Sequence, residues 1–103
     1  MSRPERGLQF AKSIKIVDWL KTEILDQIAA LFRAIYSANQ HLMIDSLSSL
    51  VISVYVLARR MGFSFSELDQ SVSQKLREHA RDGHQLEKWY GDLSKLDEYL
   101  NKR

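Results

Sequence analysis

The chain has 103 residues, of which 45% are hydrophobic and 27% are charged, and its formal net charge is +2 at pH 7. These values predict one soluble globular domain and exclude a mainly disordered chain. The charges are too balanced to indicate a nucleic-acid-binding protein. The sequence has no cysteine, which excludes disulfides, thiolate metal ligands and a cysteine nucleophile.

The N-terminal segment is polar and mostly basic. We interpret residues 1–12 as a flexible basic tail and residues 13–103 as the helical domain. No signal-peptide pattern opens the sequence, and the apolar stretch Leu50–Ala58 is shorter than the roughly 20 residues that cross a bilayer. Because small secreted domains usually need disulfides, we expect a cytoplasmic protein with no membrane partner.

The first helix is predicted to begin at Ser13, as its N-cap, and to end near Tyr36. Apolar residues recur at steps of three and four from Ile16 to Ile35, which is typical of one helical face. A second apolar stripe that includes Phe32 lies beside the first. A helix that is apolar over more than one face is central or lies at an interface.

A second helix is predicted from His41 to Met61, and we expect it to be the most buried element. Residues 51–56 are rich in β-branched side chains, which also suit a strand, but the helical spacing continues on both sides of them. Basic residues fill the last turn. Gly62 is expected to end the helix in the left-handed conformation.

A third helix is predicted to start from the N-cap Ser66, with Asp69 completing a capping box, and to end at residues 81–83. A fourth follows over His84–Leu100, where Gly91 costs about 1 kcal/mol relative to alanine and marks a kink or a close contact. Two long apolar helices and two amphipathic helices predict an all-α, four-helix bundle. The surplus apolar surface predicts that oligomerisation completes it.

Three segments carry a family resemblance. They read I-V-D-W-L-K-T-E-I-L at 16–25, L-A-R-R-M-G-F-S-F-S-E-L-D at 57–69 and H-Q-L-E-K-W-Y-G-D-L-S-K-L at 84–96. They resemble a small subfamily of the MazG-like branch of the all-α nucleoside triphosphate pyrophosphohydrolases. The resemblance implies a helical bundle completed by dimerisation. It also implies hydrolysis of nucleoside triphosphates to monophosphates and pyrophosphate, with Mg²⁺ held by E-E-x-x-E and E-x-x-D motifs on successive helices.

The metal-binding motifs are largely missing from this sequence. Of the five motif positions, only one holds a carboxylate, and the positions are Asp26, Gln27, Ala30, Ser46 and Ser49. The three acids available for a rebuilt metal site are Glu23, Asp26 and Asp45. The same three residues are also explained as ordinary solvated positions on helices.

A weaker part of the resemblance concerns phosphate. Lys75, His79 and Arg81 match a K-x-x-x-N pattern followed by an arginine, with histidine in place of asparagine. The resemblance implies contact with nucleotide phosphates at these positions. Glu78 and Asp82 lie among the basic residues, so a salt-bridged helix surface explains the pattern equally well.

Two other patterns have structural explanations beside functional ones. Trp89 and Tyr90 could stack on a base, but aromatic residues at helical spacing are more often core or interface residues. The serines of the second helix, Ser46 and Ser53 among them, have no positioned base nearby that would make a nucleophile. We interpret them as small residues that let helices approach closely.

Three functional hypotheses follow. The first is a catalytically impaired or non-catalytic MazG-like homodimer or homotetramer that senses a nucleotide or binds a partner, with no confident cofactor. The second is an active pyrophosphohydrolase with a rebuilt Mg²⁺ site. The third is a helix-turn-helix DNA binder, in which Ala58, Gly62 and Leu68 fit the motif. The third is disfavoured because Glu67 and Asp69 would meet DNA phosphates, which makes nucleic acid an unexpected partner.

Overall fold

A computed structural model describes the backbone of residues 4–102 and the side chains of residues 12–102. Over this part of the chain the structure contains helices and no strand, which confirms the predicted all-α class. In chain order the helices are α1 (Pro4–Tyr36), α2 (Gln40–Arg60), α3 (Phe65–Arg81), α4 (Gln85–Tyr90) and α5 (Asp92–Lys102).

Helix α1 begins at Pro4, so the predicted start at Ser13 is wrong. Proline is favoured at the first helical position, because the amide hydrogen that it lacks would have no partner there. The backbone of residues 4–12 is helical where we expected a flexible tail. Residues 1–3 and the side chains of residues 4–11 lie outside the described part of the chain.

A tight connection joins α1 to α2. Ala38 takes a left-handed conformation with φ of 55°. Asn39 is the N-cap of α2, and its Oδ1 accepts a hydrogen bond from the backbone N–H of Leu42 at 3.1 Å. A connection this short makes the two helices antiparallel neighbours, and they pack against each other along their length.

Few large side chains are fully buried within this hairpin. Leu20 and Ala34 are the buried apolar residues of α1, with 2% and 1% of their surface exposed. On α2 the buried residues are Ser46 and Ser53, each 7% exposed. Both serines are buried, and their small size favours a close approach of the two helices, which is the role proposed for them from the sequence.

The rest of α2 is open to solvent in the single chain. Ile44, Val51 and Ile52 are all exposed, so in the single chain α2 is not the largely buried helix that the sequence led us to expect. The physical reason is that α1 covers only the serine face. By length and composition alone, α2 is also apolar enough to cross a membrane, although core helices of soluble proteins meet the same criterion. The stretch Leu50–Ala58, which we compared with the length that crosses a bilayer, is therefore shorter than the apolar helix that the structure shows.

The chain divides into two compact units, one ending at Phe63 and the other beginning at Ser64. In the second unit α3 packs against α5, and α4 also contacts α5. Leu76 is the buried apolar residue of α3. Helix α3 begins with a capping box in which Ser64 Oγ accepts from the N–H of Glu67 and Glu67 Oε1 accepts from the N–H of Ser64. The predicted box at Ser66 and Asp69 is therefore wrong by two residues.

Two glycines set helix ends. Gly62 has φ of 99° just after α2, which confirms its predicted left-handed conformation. Gly91 has φ of 66° and separates α4 from α5. The predicted fourth helix, His84–Leu100, is thus two helices, because a residue in the left-handed region cannot continue an α-helix.

Candidate functional site

The first metal motif falls on the middle of α1. Asp26 is exposed, whereas Gln27 and Ala30 are partly buried. The Oε1 atom of Gln27 is buried and accepts no hydrogen bond from the described residues. This segment therefore offers a single carboxylate and one neutral amide where the family motif needs three acids.

The second metal motif falls on the first half of α2. Ser46 is buried on the face that packs against α1, and Ser49 is partly buried one turn later. A serine hydroxyl is neutral, and Mg²⁺ sites in proteins depend on carboxylate oxygens to balance the charge of the ion. These two positions add no negative charge to the hairpin.

The three acids proposed for a rebuilt site occupy two helices. Glu23 is partly buried and lies three residues before Asp26, so the two share a face of α1. At roughly 1.5 Å per residue, Asp26 lies about 15 Å before the end of α1, whereas Asp45 lies about 8 Å after the start of α2. The side chains of residues 12–102 include no group of three or more histidines or acids placed to hold a metal ion. The structure therefore does not bring Glu23, Asp26 and Asp45 together into one such group.

The three candidates for phosphate contact lie on α3 and are all exposed. Lys75 and His79 are four residues apart and share a face, whereas Arg81 points elsewhere on the helix. The Arg81 Nε atom lies 3.7 Å from a carboxylate oxygen of Asp82. The ring of His79 packs edge-on against that of His84, with 5.5 Å between the ring centres. The structure thus places Arg81 and His79 beside local neighbours, and the three residues lie on more than one face of α3.

Another basic residue of α3, Arg77, lies beside two cavities in the second unit. Arg77 lines two open cavities of about 300 and 490 Å³ beside α3 and α5. Its Nη1 atom lies 3.8 Å from Asp97 Oδ1, and the Asp97 side chain is only 18% exposed. Sequence reasoning missed this pair because the two residues are 20 positions apart and match no motif.

The hairpin also presents apolar surface to solvent. Leu25 and Phe32 are seven residues apart on α1 and are 67% and 63% exposed. Ile44 and Val51 have the same spacing on α2 and are 61% and 54% exposed. Since residues seven apart lie on one helical face, each helix carries a continuous exposed apolar stripe. Stripes of this kind mark surfaces that contact another molecule.

The aromatic pair of α4 is exposed as well. The rings of Trp89 and Tyr90 meet at nearly a right angle, with 6.3 Å between their centres. Both side chains are more than half exposed. They are therefore not core residues of the second unit, and of the two structural roles expected from the sequence only a place at an interface stays a prediction.

The family model described as the MazG-like family matches residues 10–93. The chain belongs to the MazG-like family. The resemblance found in the sequence is thereby confirmed, and the protein is a helical relative of the nucleoside triphosphate pyrophosphohydrolases. Comparison with the curated proteins and with the solved structures gave no match.

The matched span of this MazG-like chain includes the five positions that the sequence resemblance aligns with the metal motifs. Four of these positions carry no carboxylate, namely Gln27, Ala30, Ser46 and Ser49.

Proposed function

We propose that this MazG-like protein lacks ordinary pyrophosphohydrolase activity and acts as an oligomeric module that senses a nucleotide or binds a partner. One observation carries the proposal. Among the five metal-motif positions only Asp26 is a carboxylate, its side chain is exposed, and no group of three or more acids or histidines within residues 12–102 is placed to hold a metal ion.

The requirements of the metal explain why this observation matters. Mg²⁺ takes oxygen ligands at about 2.0–2.1 Å in a nearly octahedral arrangement, so its protein ligands must converge on one point. In the pyrophosphohydrolase reaction the ion would also have to offset the charge that builds up on the leaving pyrophosphate. Asp26 is on α1 and Asp45 is on α2, and their positions along the hairpin axis differ by roughly 7 Å.

The exposed stripes of α1 and α2 support an oligomer built on the hairpin. Another copy presents the same stripes, so a two-fold arrangement can bury both at once. A bilayer is a poorer match for this hairpin, because α1 carries exposed charges such as Lys15, Asp26 and Arg33 along most of its length. Each charge at membrane depth would cost at least about 2.5 kcal/mol. We therefore propose a homodimer or homotetramer that works in the cytoplasm.

Pyrophosphate release and nucleotide binding, measured on the same protein sample, test this proposal. Canonical and modified nucleoside triphosphates would be supplied first with Mg²⁺ and then with Mn²⁺. We expect no release above background at any substrate concentration. Equilibrium dialysis of the same nucleotides then separates the two remaining roles, since a sensor binds a nucleotide without turnover and a partner-binding module does not.

A second candidate function is an active pyrophosphohydrolase with a rebuilt Mg²⁺ site. Family membership supports it, and so does the shared helical face of Glu23 and Asp26. On this hypothesis Asp26→Asn and Asp45→Asn each abolish turnover. Asp18→Asn is the matched control, since Asp18 is an exposed acid of α1 that pairs with Lys21 on the surface.

The same hypothesis gives the basic residues of α3 a measurable role. Lys75→Gln and Arg81→Gln would raise KM without changing stability, because both side chains are exposed. Arg33→Gln removes an equivalent exposed charge from the other unit and serves as the control. Equal KM values for all three variants would remove phosphate contact at α3 from the hypothesis.

A further inference from the structure

A pocket opens at the end of the hairpin away from the α1–α2 connection. It has a volume of about 340 Å³ and lies between the early part of α1 and the end of α2. Its size is at the lower end of the roughly 300–1,000 Å³ that is usual for small-molecule sites. The pocket belongs wholly to the first unit.

Two basic side chains and one acid line this pocket. Lys21 Nζ lies 3.5 Å from Asp18 Oδ1, so part of its charge is already balanced. Arg60, the last residue of α2, makes no ion pair with the side chains of residues 12–102. The pocket therefore has an excess positive charge, concentrated on a guanidinium that can bind anionic oxygens with two parallel hydrogen bonds.

The remaining wall of the pocket is apolar. Ile14 and Met61 are both exposed, and Val17 is partly buried. These side chains lose water-exposed surface if an aliphatic group covers them, which favours binding of that group. One side of the pocket thus suits an anion and the other suits a hydrocarbon.

We propose that this pocket binds a single-chain amphiphile, with an anionic oxygen head group on Arg60 and Lys21 and an aliphatic chain against Ile14, Val17 and Met61. The site is separate from the metal-motif positions. Lys21 and Asp26 differ by five residues, which is about 140° around α1 at 3.6 residues per turn. The proposal therefore needs neither catalysis nor a metal, and it stands or falls independently of the function proposed above.

Titration of isotope-labelled protein with n-octyl phosphate, octanoate, inorganic phosphate and n-octyl glucoside tests the site by NMR, below the micelle concentration of each amphiphile. Octyl phosphate or octanoate should shift the methyl signals of Ile14, Val17 and Met61. Inorganic phosphate lacks the chain and octyl glucoside lacks the charge. Each should bind at least about tenfold more weakly, since about 1.4 kcal/mol corresponds to tenfold in Kd.

Two neighbouring arginines provide a matched pair of variants. Arg60→Gln should weaken the binding of the anionic amphiphile at least tenfold, whereas Arg59→Gln should leave the Kd unchanged, because Arg59 does not line the pocket. Both variants would first be checked for an unchanged Tm. Equal binding of octyl glucoside, equal binding of inorganic phosphate, equal losses in both variants or no loss at Arg60 would each overturn the proposal. Comparison of octyl phosphate with octanoate then identifies the preferred head group.

Discussion

Ser46 and Ser53 lie two turns apart on one face of α2, and each is only 7% exposed beneath α1. Two small polar residues are thus buried in the helix contact. The first of them, Ser46, is also a position that the sequence resemblance aligns with a metal-binding carboxylate. In this chain that position therefore contributes to the packing of the hairpin.

This packing makes α2 sensitive to volume at Ser53. Ser53→Leu should lower the free energy of unfolding by about 1–3 kcal/mol, because a larger side chain in a well-packed contact forces the helices apart. Urea unfolding followed by circular dichroism measures the change. Ser71→Leu is the control on an exposed face of α3, where a change within about 0.5 kcal/mol is expected. Equal effects of the two substitutions would contradict the close contact.

The capping box of α3 predicts different costs for two nearby serines. Ser64→Ala should destabilise the second unit by about 1 kcal/mol, since it removes the acceptor for the N–H of Glu67. Ser66→Ala should change little, because Ser66 is an exposed residue inside the helix. Thermal unfolding of both variants decides the matter, and a larger loss for Ser66→Ala would place the N-cap where the sequence pattern first suggested.

Replacement of Gly91 should change the stability in opposite directions depending on whether α4 and α5 are separate helices or one continuous helix. Its φ of 66° disfavours any residue with a side chain, so Gly91→Ala should destabilise the protein by about 1–2 kcal/mol. If α4 and α5 formed one continuous helix, the same change would stabilise it by about 1 kcal/mol instead. Space does not limit the result, because the added methyl group would meet its nearest neighbours, Glu87 and Lys95, at 3.8 Å. Chemical denaturation measures whether the free energy of unfolding falls or rises.

The exposed stripe of α2 predicts the behaviour of the oligomer. Val51→Lys should reduce the mass of the assembly to that of one 12.0 kDa chain, because the charge would have to be buried at the interface. Tyr99→Lys replaces a similarly exposed residue of α5 and should leave the assembly intact. Sedimentation velocity measures both masses. A wild-type protein that sediments as a monomer at tens of micromolar would contradict the oligomer itself.

Much of the fold could be predicted because helical periodicity is a strong signal. The bounds of α2 differ from the prediction by one residue at each end, and Gly62 ends it as expected. The start of α3 was harder to place, since Ser64 and Ser66 are each followed three positions later by an acid. Phe63 and Leu68, which flank the true cap at the spacing of a hydrophobic staple, are the signal that distinguishes them.

Other features could not be predicted, either because the local sequence pattern pointed to a different structure or because the interacting residues are far apart in the sequence. Leu93 and Leu96 continue the spacing of α4 across Gly91, so the break does not interrupt the apolar pattern. That Gln27, Ala30, Ser46 and Ser49 carry no carboxylate could be identified from the sequence alone, and its consequence for metal binding stays a prediction. The ion pair of Arg77 with Asp97 could not be identified in this way, because only the packing of α3 on α5 brings the two residues together.

The central claim is that the substituted motif positions remove ordinary pyrophosphohydrolase activity. The measurement that tests it most directly is pyrophosphate release from a panel of nucleoside triphosphates with Mg²⁺ and with Mn²⁺, for the wild type and for Asp26→Asn. The account predicts the same background rate for both proteins. Release well above background that is lost in Asp26→Asn would contradict it, and would show that this MazG-like chain has rebuilt its metal site.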